Sequence, residues 1–280
     1  MERASLILTG VQIGLQAKAT AEPSNKGINT MAEVIAIANH KGGVGKTCSA
    51  SNIGAGLARA GHKTLIVDLD PQGNLSTSYG INSPEKTVYG ALRKEYPIEP
   101  ISAGQRLYIV PSDIDLSAAE LELSAEPGRE YILKETLEAV KGDYKYILID
   151  CPPSLGLLTI NGLTAADKLL IPLQPEFLAL KGLTKLIEIV EKIQRRINSD
   201  LDILGIFLTR YDSRKTLNKR VMETVEARLP GKLFNTTIRN NIALAEAPAA
   251  GKDIFSYDPK SNGAEDYKAL VSELLKKYKK

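Results

Sequence analysis

Tryptophan is absent from this 280-residue chain, phenylalanine occurs four times and cysteine only twice. The two cysteines, Cys48 and Cys151, stand far apart and outside any C-x-x-C pair. That gives little support to a disulfide framework or a zinc site and fits a reducing compartment. A cluster bridged between two copies of the chain is disfavoured as well, because iron–sulfur ligands come in spaced runs. No apolar run is long enough to span a bilayer, so the expectation is a soluble or at most peripheral protein. Nor is there a large excess of one charge: the formal net charge is +3, and any nucleic-acid binding has to come from a local patch. What is present, 43% hydrophobic and 25% charged residues, is the balance of an ordinary globular protein with room for one large, well-buried core.

Residues 1–30 combine one early arginine, a weakly apolar middle and an A-x-A triplet at Ala17 to Ala19, the elements of a secretory signal. Thr9, Gln12 and Gln16 interrupt the apolar run, so the segment reads instead as a disordered leader, with translation starting at Met31. Residues 31–280 read as one domain.

From Val34 onward, short β-rich apolar runs alternate with helical patterns. Strands are expected at Val34–Asn39, Thr64–Asp70, Leu107–Ser112, Tyr146–Pro153, Lys168–Pro175 and Ile203–Arg210. Their near-continuous hydrophobicity marks strands buried on both faces, as in a parallel sheet. Helical periodicity fills Thr47–Ala60, Glu130–Val140, Leu180–Ile197, Leu217–Leu229 and Ala264–Tyr278. This alternation predicts an α/β fold, a doubly wound and mostly parallel sheet flanked by helices. Residues 71–106, rich in Gly, Pro, Ser and Asn, read as an extended excursion from that sheet.

The chemistry concentrates in "KGGVGKT", Lys41 to Thr47. Gly42, Gly43 and Gly45 let backbone N–H groups turn inward around an anion, with Val44 between them and a helix N-terminus behind. Lys46 is placed to reach the β and γ phosphates of a nucleotide, Thr47 to hold magnesium, and Cys48 follows on the helix. The strict pattern G-x-x-x-x-G-K-[ST] fails, because His40 occupies its first glycine position and an additional lysine, Lys41, comes next. Three carboxylates, Asp68, Asp70 and Asp150, end apolar runs, where an open α/β sheet gathers its ligands. Asp150 has the setting of a magnesium-holding Walker B aspartate.

Taken together, "KGGVGKT", "DLDPQGN" at Asp68 to Asn74, "DCPPSLG" at Asp150 to Gly156 and "LAEAP" at Leu244 to Pro248 resemble the ParA/Soj family of partitioning ATPases. That family lies within the deviant Walker A class, which also includes MinD and nitrogenase iron protein. The resemblance implies a cytoplasmic, nucleoid-associated ATPase using ATP and Mg2+. It implies that Lys41 reaches across a nucleotide-sandwich homodimer to the phosphates of the other subunit and that Gly42 lies at the dimer contact. It places Asp70 at the attacking water, Asp68 and Asp150 near magnesium together with Thr47, and the segment Arg239 to Asn241 near the adenine. In the family a second threonine usually stands where this chain has Cys48, so a hydroxyl near the α-phosphate is replaced by a thiol. Lys41 screening phosphate within its own subunit is the plainer alternative.

The resemblance further implies nonspecific binding of double-stranded DNA and stimulation by a ParB-like partner. Between Gly205 and Lys260 basic residues outnumber acidic ones, and Arg214, Lys215, Lys219, Arg220 and Arg239 are the candidate phosphate contacts. Ala243 stands where some Soj-type members carry an arginine, so the footprint departs from theirs. Two rivals remain. A MinD-like membrane-cycling ATPase would use Tyr267, Leu270, Val271, Leu274, Leu275 and Tyr278 as an amphipathic stripe, although that helix lacks the Trp or Phe of an interfacial anchor. A nucleotide-gated regulator with little hydrolysis would carry the same motifs. Bacterial tyrosine kinases share the phosphate loop but end in a tyrosine-rich tail, which this chain lacks.

Overall fold

The structure, a computed structural model, describes residues 31–278. The readings made of residues 1–30 fall outside it. All six expected strands form, and a seventh joins them: β1 Glu33–Ile37, β2 Thr64–Asp68, β3 Ile101–Gly104, β4 Leu107–Val110, β5 Tyr146–Asp150, β6 Lys168–Leu173 and β7 Asp202–Leu208. They make one sheet in the order β3-β4-β2-β5-β1-β6-β7. Every pairing is parallel except that of β3 with β4. The helices are α1 Lys46–Arg59, α2 Asn74–Thr77, α3 Val88–Leu92, α4 Leu116–Glu122, α5 Ile132–Lys141, α6 Leu157–Ala165, α7 Ala179–Arg196, α8 Thr216–Arg228, α9 Ala243–Glu246, α10 Ile254–Tyr257 and α11 Asn262–Lys277.

Alternation along the strands divides the core between the two sheet faces. Ile35, Ile37, Ile66, Leu148 and Leu170 cluster with Ile53 and Leu57 of α1 and with Tyr267, Leu270 and Leu274 of α11. Val34, Ala36, Val67, Ile149 and Ile171 cluster instead with residues of α5, α6, α7 and α8. Helix α1 lies unusually close to the sheet: a Cβ added at Gly54 would sit 2.6 Å from Ile66 Cγ2. That close packing anchors the helix whose first residue is Lys46.

Residues 71–106 are not an excursion. They form α2, α3 and the edge strand β3, and Leu75, Val88, Leu92 and Ile98 are buried in the core. The apolar stripe of α11 is likewise core: Tyr267, Leu270, Val271 and Leu274 are buried, and Leu275 and Tyr278 pack against the same cluster. An interfacial anchor needs that face outward, and here it faces the sheet. Among the described residues no helix is long and apolar enough to cross a membrane.

From β1 the chain runs through α1 to β2 on one side, whereas from β5 it crosses past β1 to β6 on the other, so successive connections diverge at β1. Such a switch point opens a crevice at the carboxyl ends of the strands.

Candidate nucleotide-binding site

The loop between β1 and α1 fills that crevice. Gly43 and Gly45 have φ of +74° and +89°, the left-handed region that favours glycine. A Cβ at Gly42 or Gly43 would meet nothing within 4 Å, so the loop offers bare backbone to open space. Its seat is rigid: the Thr209 hydroxyl donates to the Val44 carbonyl at 2.8 Å, and Asn39 accepts from the Lys41 N–H at 3.0 Å while donating to the Pro172 carbonyl at 2.7 Å.

In front of the loop lies a cleft of about 670 Å³, lined by Gly42, Gly43, Gly45, Lys46, Thr47, Cys48 and Asp70, together with Asn52, Arg210 and Lys252. A smaller hollow of about 140 Å³ adjoins it through Gly45, Cys48, Arg210 and Ala245, and is lined further by Val44, Arg239, Asn241 and Tyr267. The larger space suits a polyphosphate and the smaller a base.

Lys46 is 6% exposed and its ammonium donates to the Lys41 carbonyl at 3.3 Å. Burial pushes its pKa down, against the pull of Asp150 and Asp70. Asp150, at the end of β5, is 1% exposed, and neither carboxylate oxygen has a hydrogen-bond partner among the described residues. Burial and the neighbouring Asp68 raise its pKa well above the usual range, and the nearby Thr47 side chain only moderates this. A buried carboxylate left without partners is costly, which marks Asp150 as a group awaiting a cation.

Asp68 is fully buried yet satisfied. Ser76 donates to its Oδ2 from the hydroxyl at 2.7 Å and the backbone N–H at 2.9 Å, and Asp70 N donates to Oδ1 at 3.2 Å. Burial nevertheless pushes its pKa up to about 6, partly offset by those bonds. Its carboxylate thus braces α2 and the backbone of Asp70. Asp70 itself accepts from Gln72 N at 3.1 Å and borders the cleft.

These residues fit magnesium-bound nucleotide. Magnesium keeps several oxygen ligands from phosphate and water and takes only one or two from protein. Among the described residues no cluster of three His, Cys, Asp or Glu stands ready to hold a metal by itself, whereas the orphaned Asp150 stands beside Thr47.

The chain's relatives agree. Residues 32–203 match the family model described as an AAA domain. The Sporulation initiation inhibitor protein Soj of Bacillus subtilis is 46% identical over 87% of this chain and 98% of its own length. The Chromosome-partitioning ATPase Soj of Treponema pallidum is 47% identical, covering 88% of this chain and 98% of its own. The chain belongs to the ParA/Soj family of partitioning ATPases. Among solved structures, a Mycobacterium smegmatis protein named cobyrinic acid a,c-diamide synthase, with bound ADP and magnesium, superposes with a TM-score of 0.79 at 36% identity, covering 89% of this chain and 96% of that one. A plasmid partition protein of Borrelia burgdorferi bound to AMPPNP gives 0.76 at 25% identity, covering 89% and 100%.

The family's nucleotide residues converge here, with one exception. The Lys41 side chain does not line the cleft; its ammonium pairs with Glu176 beyond β6, where both side chains are half-exposed. Next to Glu176, Phe177 is 85% exposed and Leu178 61%. Arg239 is also committed, to Asp266 at 2.6 Å and Glu265 at 2.6 Å, on the rim of the small hollow. Of the other basic candidates, Arg214 is held by Asp212 through two contacts of 3.0 Å. Lys215, Lys219 and Arg220 stand exposed at the start of α8 with no ion pair among the described residues. Sequence reasoning passed over Arg210 and Asn52 as cleft residues. Arg210 closes the run "ILGIFLTR", a strand-end position that the same rule for open sheets singles out.

Proposed function

We propose that this ATPase is a DNA-partitioning switch: two copies close face to face around two ATP molecules, the closed dimer binds double-stranded DNA without sequence preference, and hydrolysis stimulated by a DNA-bound, ParB-like partner releases it. The observation that carries this reading is Lys41. A lysine that belonged to its own phosphate site would line that cleft, whereas this one stands outside it beside exposed apolar residues. Its half-exposed pair with Glu176 contributes no more than about 1 kcal/mol, so leaving Glu176 for a second subunit's phosphates costs little.

Within each subunit the loop N–H groups and Lys46 bind and orient the phosphates, and Thr47 and Asp150 hold magnesium. The metal, when bound, neutralises charge building on the transferred phosphoryl group. Asp70 orients the attacking water, and Asp68 fixes Asp70 from behind. Lys41 from the partner copy adds a preorganised cation where negative charge develops. DNA phosphates meet Lys215, Lys219 and Arg220, with Arg214 joining by exchanging Asp212 for phosphate. Arg239, held by two carboxylates, belongs to the nucleotide side. Residues 31–278 act as one such unit, and the protein works on the nucleoid.

The name of the mycobacterial neighbour would imply amidation of a corrinoid. Glutamine-dependent amide transfer uses an accessible nucleophilic thiolate, whereas Cys151 is fully buried and Cys48 lines the cleft in front of the phosphate loop. The partitioning reading therefore stands ahead of it. Its test is the mass in solution by light scattering. With ATP and magnesium the wild type is expected at twice the monomer mass, and Lys41→Ala at the monomer mass. A wild type that stays monomeric with ATP, or a variant that dimerises equally, removes the sandwich.

A further inference from the structure

The two hollows of the nucleotide site adjoin, and of the four residues at the neck between them one is charged. Arg210 lines the phosphate cleft and the smaller base-sized hollow, together with Gly45, Cys48 and Ala245. Its guanidinium has no hydrogen-bond or ion-pair partner among the described residues, in contrast to Arg214 and Arg239 close by, each held by carboxylates. The backbone around it is tightly determined. Thr209 donates from its N–H to the Leu173 carbonyl at 3.0 Å and from its hydroxyl to Val44, and Tyr211 N donates to the Ile238 carbonyl at 2.9 Å. Between these anchors Arg210 adopts φ +49°, a left-handed conformation that glycine or asparagine takes more easily. Among the described residues two other non-glycines share this feature, Lys94 after α3 and Arg106 in the β3–β4 hairpin, both at turns. Lys94 borders a separate hollow of about 520 Å³ remote from the phosphate loop, whereas the strained residue at 210 opens onto the nucleotide cleft itself, and strain held in place at a binding cleft is a mark of function.

We propose that Arg210 contacts the α-phosphate of the bound nucleoside phosphate and supplies, as a charged donor, the contact that Cys48 makes poorly. The neck between a polyphosphate cleft and a base pocket is where the α-phosphate and ribose pass. Cys48 borders the same neck, and a thiol is a weak donor. The Arg210 charge reaches that thiol, lowering its pKa against the larger effect of burial. A guanidinium offers several N–H donors in a fixed fork that matches phosphate oxygens. The residue thus determines how tightly nucleotide is held, in ATP and ADP alike, and not how fast it reacts.

This inference rests on the nucleotide reading of the site, and the test separates the two. Adenosine, AMP, ADP and ATP are titrated with magnesium against the full chain by displacement of a fluorescent ADP analogue, for the wild type, Arg210→Asn and Arg210→Lys. Asparagine tolerates the left-handed backbone, so folding is preserved while the charge is removed. In Arg210→Asn, affinity for AMP, ADP and ATP is expected to fall by about tenfold each, the scale of one charge-assisted hydrogen bond, with adenosine unchanged and Arg210→Lys intermediate. Adding Cys48→Thr to Arg210→Asn is expected to recover part of the loss, because a hydroxyl returns to the neck. Unchanged affinities, a loss that spares AMP, or an equal loss for adenosine would each overturn the assignment. A wild type that binds none of the four would instead sink the nucleotide reading itself.

Discussion

At the scale of single residues, the site is built from groups that the fold alone would not choose. Asp150 is the sharpest case, a buried carboxylate with both oxygens unpartnered. A carboxylate whose folded pKa is raised weakens the fold once pH rises through the range between its unfolded and folded values. Asp150→Asn is therefore expected to stabilise the nucleotide-free protein at neutral pH by about 1–2 kcal/mol in urea unfolding. The gain should shrink on acidification, as protons neutralise the wild-type carboxylate, while the magnesium dependence of ATP binding is lost. A variant less stable than wild type without nucleotide would show that Asp150 supports the fold instead. Asp70 is buried too but borders the cleft, with one oxygen accepting from Gln72 N. Asp70→Ala should bind ATP and dimerise yet hydrolyse it at least a hundredfold more slowly, because water positioning is what it removes. Turnover within a few-fold of wild type would take Asp70 out of the mechanism.

At the scale of elements, the strands were legible because burial on both faces writes itself as continuous apolar runs, and every run read that way became a strand. The misses have physical reasons. β3 is exposed along most of its length, so no apolar run marks it, and α2 and α3 are too short for helical periodicity to register. Helix α6, "LLTINGLTA", is buried on nearly all sides and so lacks a polar face. The phosphate loop and the three aspartates could be read from local motifs, whereas Arg239's carboxylate partners lie 26 and 27 positions away and Glu176 lies 135 from Lys41. Only the fold brings these together. The same holds for Glu273 of α11, which accepts from Thr236 at 2.7 Å and from backbone N–H groups of Asn235 and Thr236 at 2.8 and 2.9 Å. Desolvation opposes ionisation there, but these bonds win and the pKa is lowered. For a lowered carboxylate the stabilisation is present above its unfolded value, 4.5, and is lost as pH falls through the folded one. Glu273→Gln should accordingly lower the melting temperature at pH 7, and by progressively less as the pH is taken further below 4.5. An effect that does not change with pH would show that the charge plays no part.

At the scale of the whole molecule, a half-exposed lysine, a rigid phosphate loop and a basic surface on α8 are the parts of the proposed cycle. Residues that follow β1, β2, β5 and β7 border the cleft, and the basic start of α8 comes after β7. If, as proposed, that surface neutralises DNA phosphates, binding weakens steeply with salt. In the proposed cycle a dimer would double the basic surface on one body and strengthen the contact, and nucleotide state would thereby set DNA occupancy. The most direct test is binding to random-sequence double-stranded DNA with ATP, with ADP and without nucleotide, at two salt concentrations, for the wild type and Lys41→Ala. The account predicts tight, salt-sensitive binding only for the wild type with ATP. Binding that ignores nucleotide and Lys41, or no binding in any state, would contradict it.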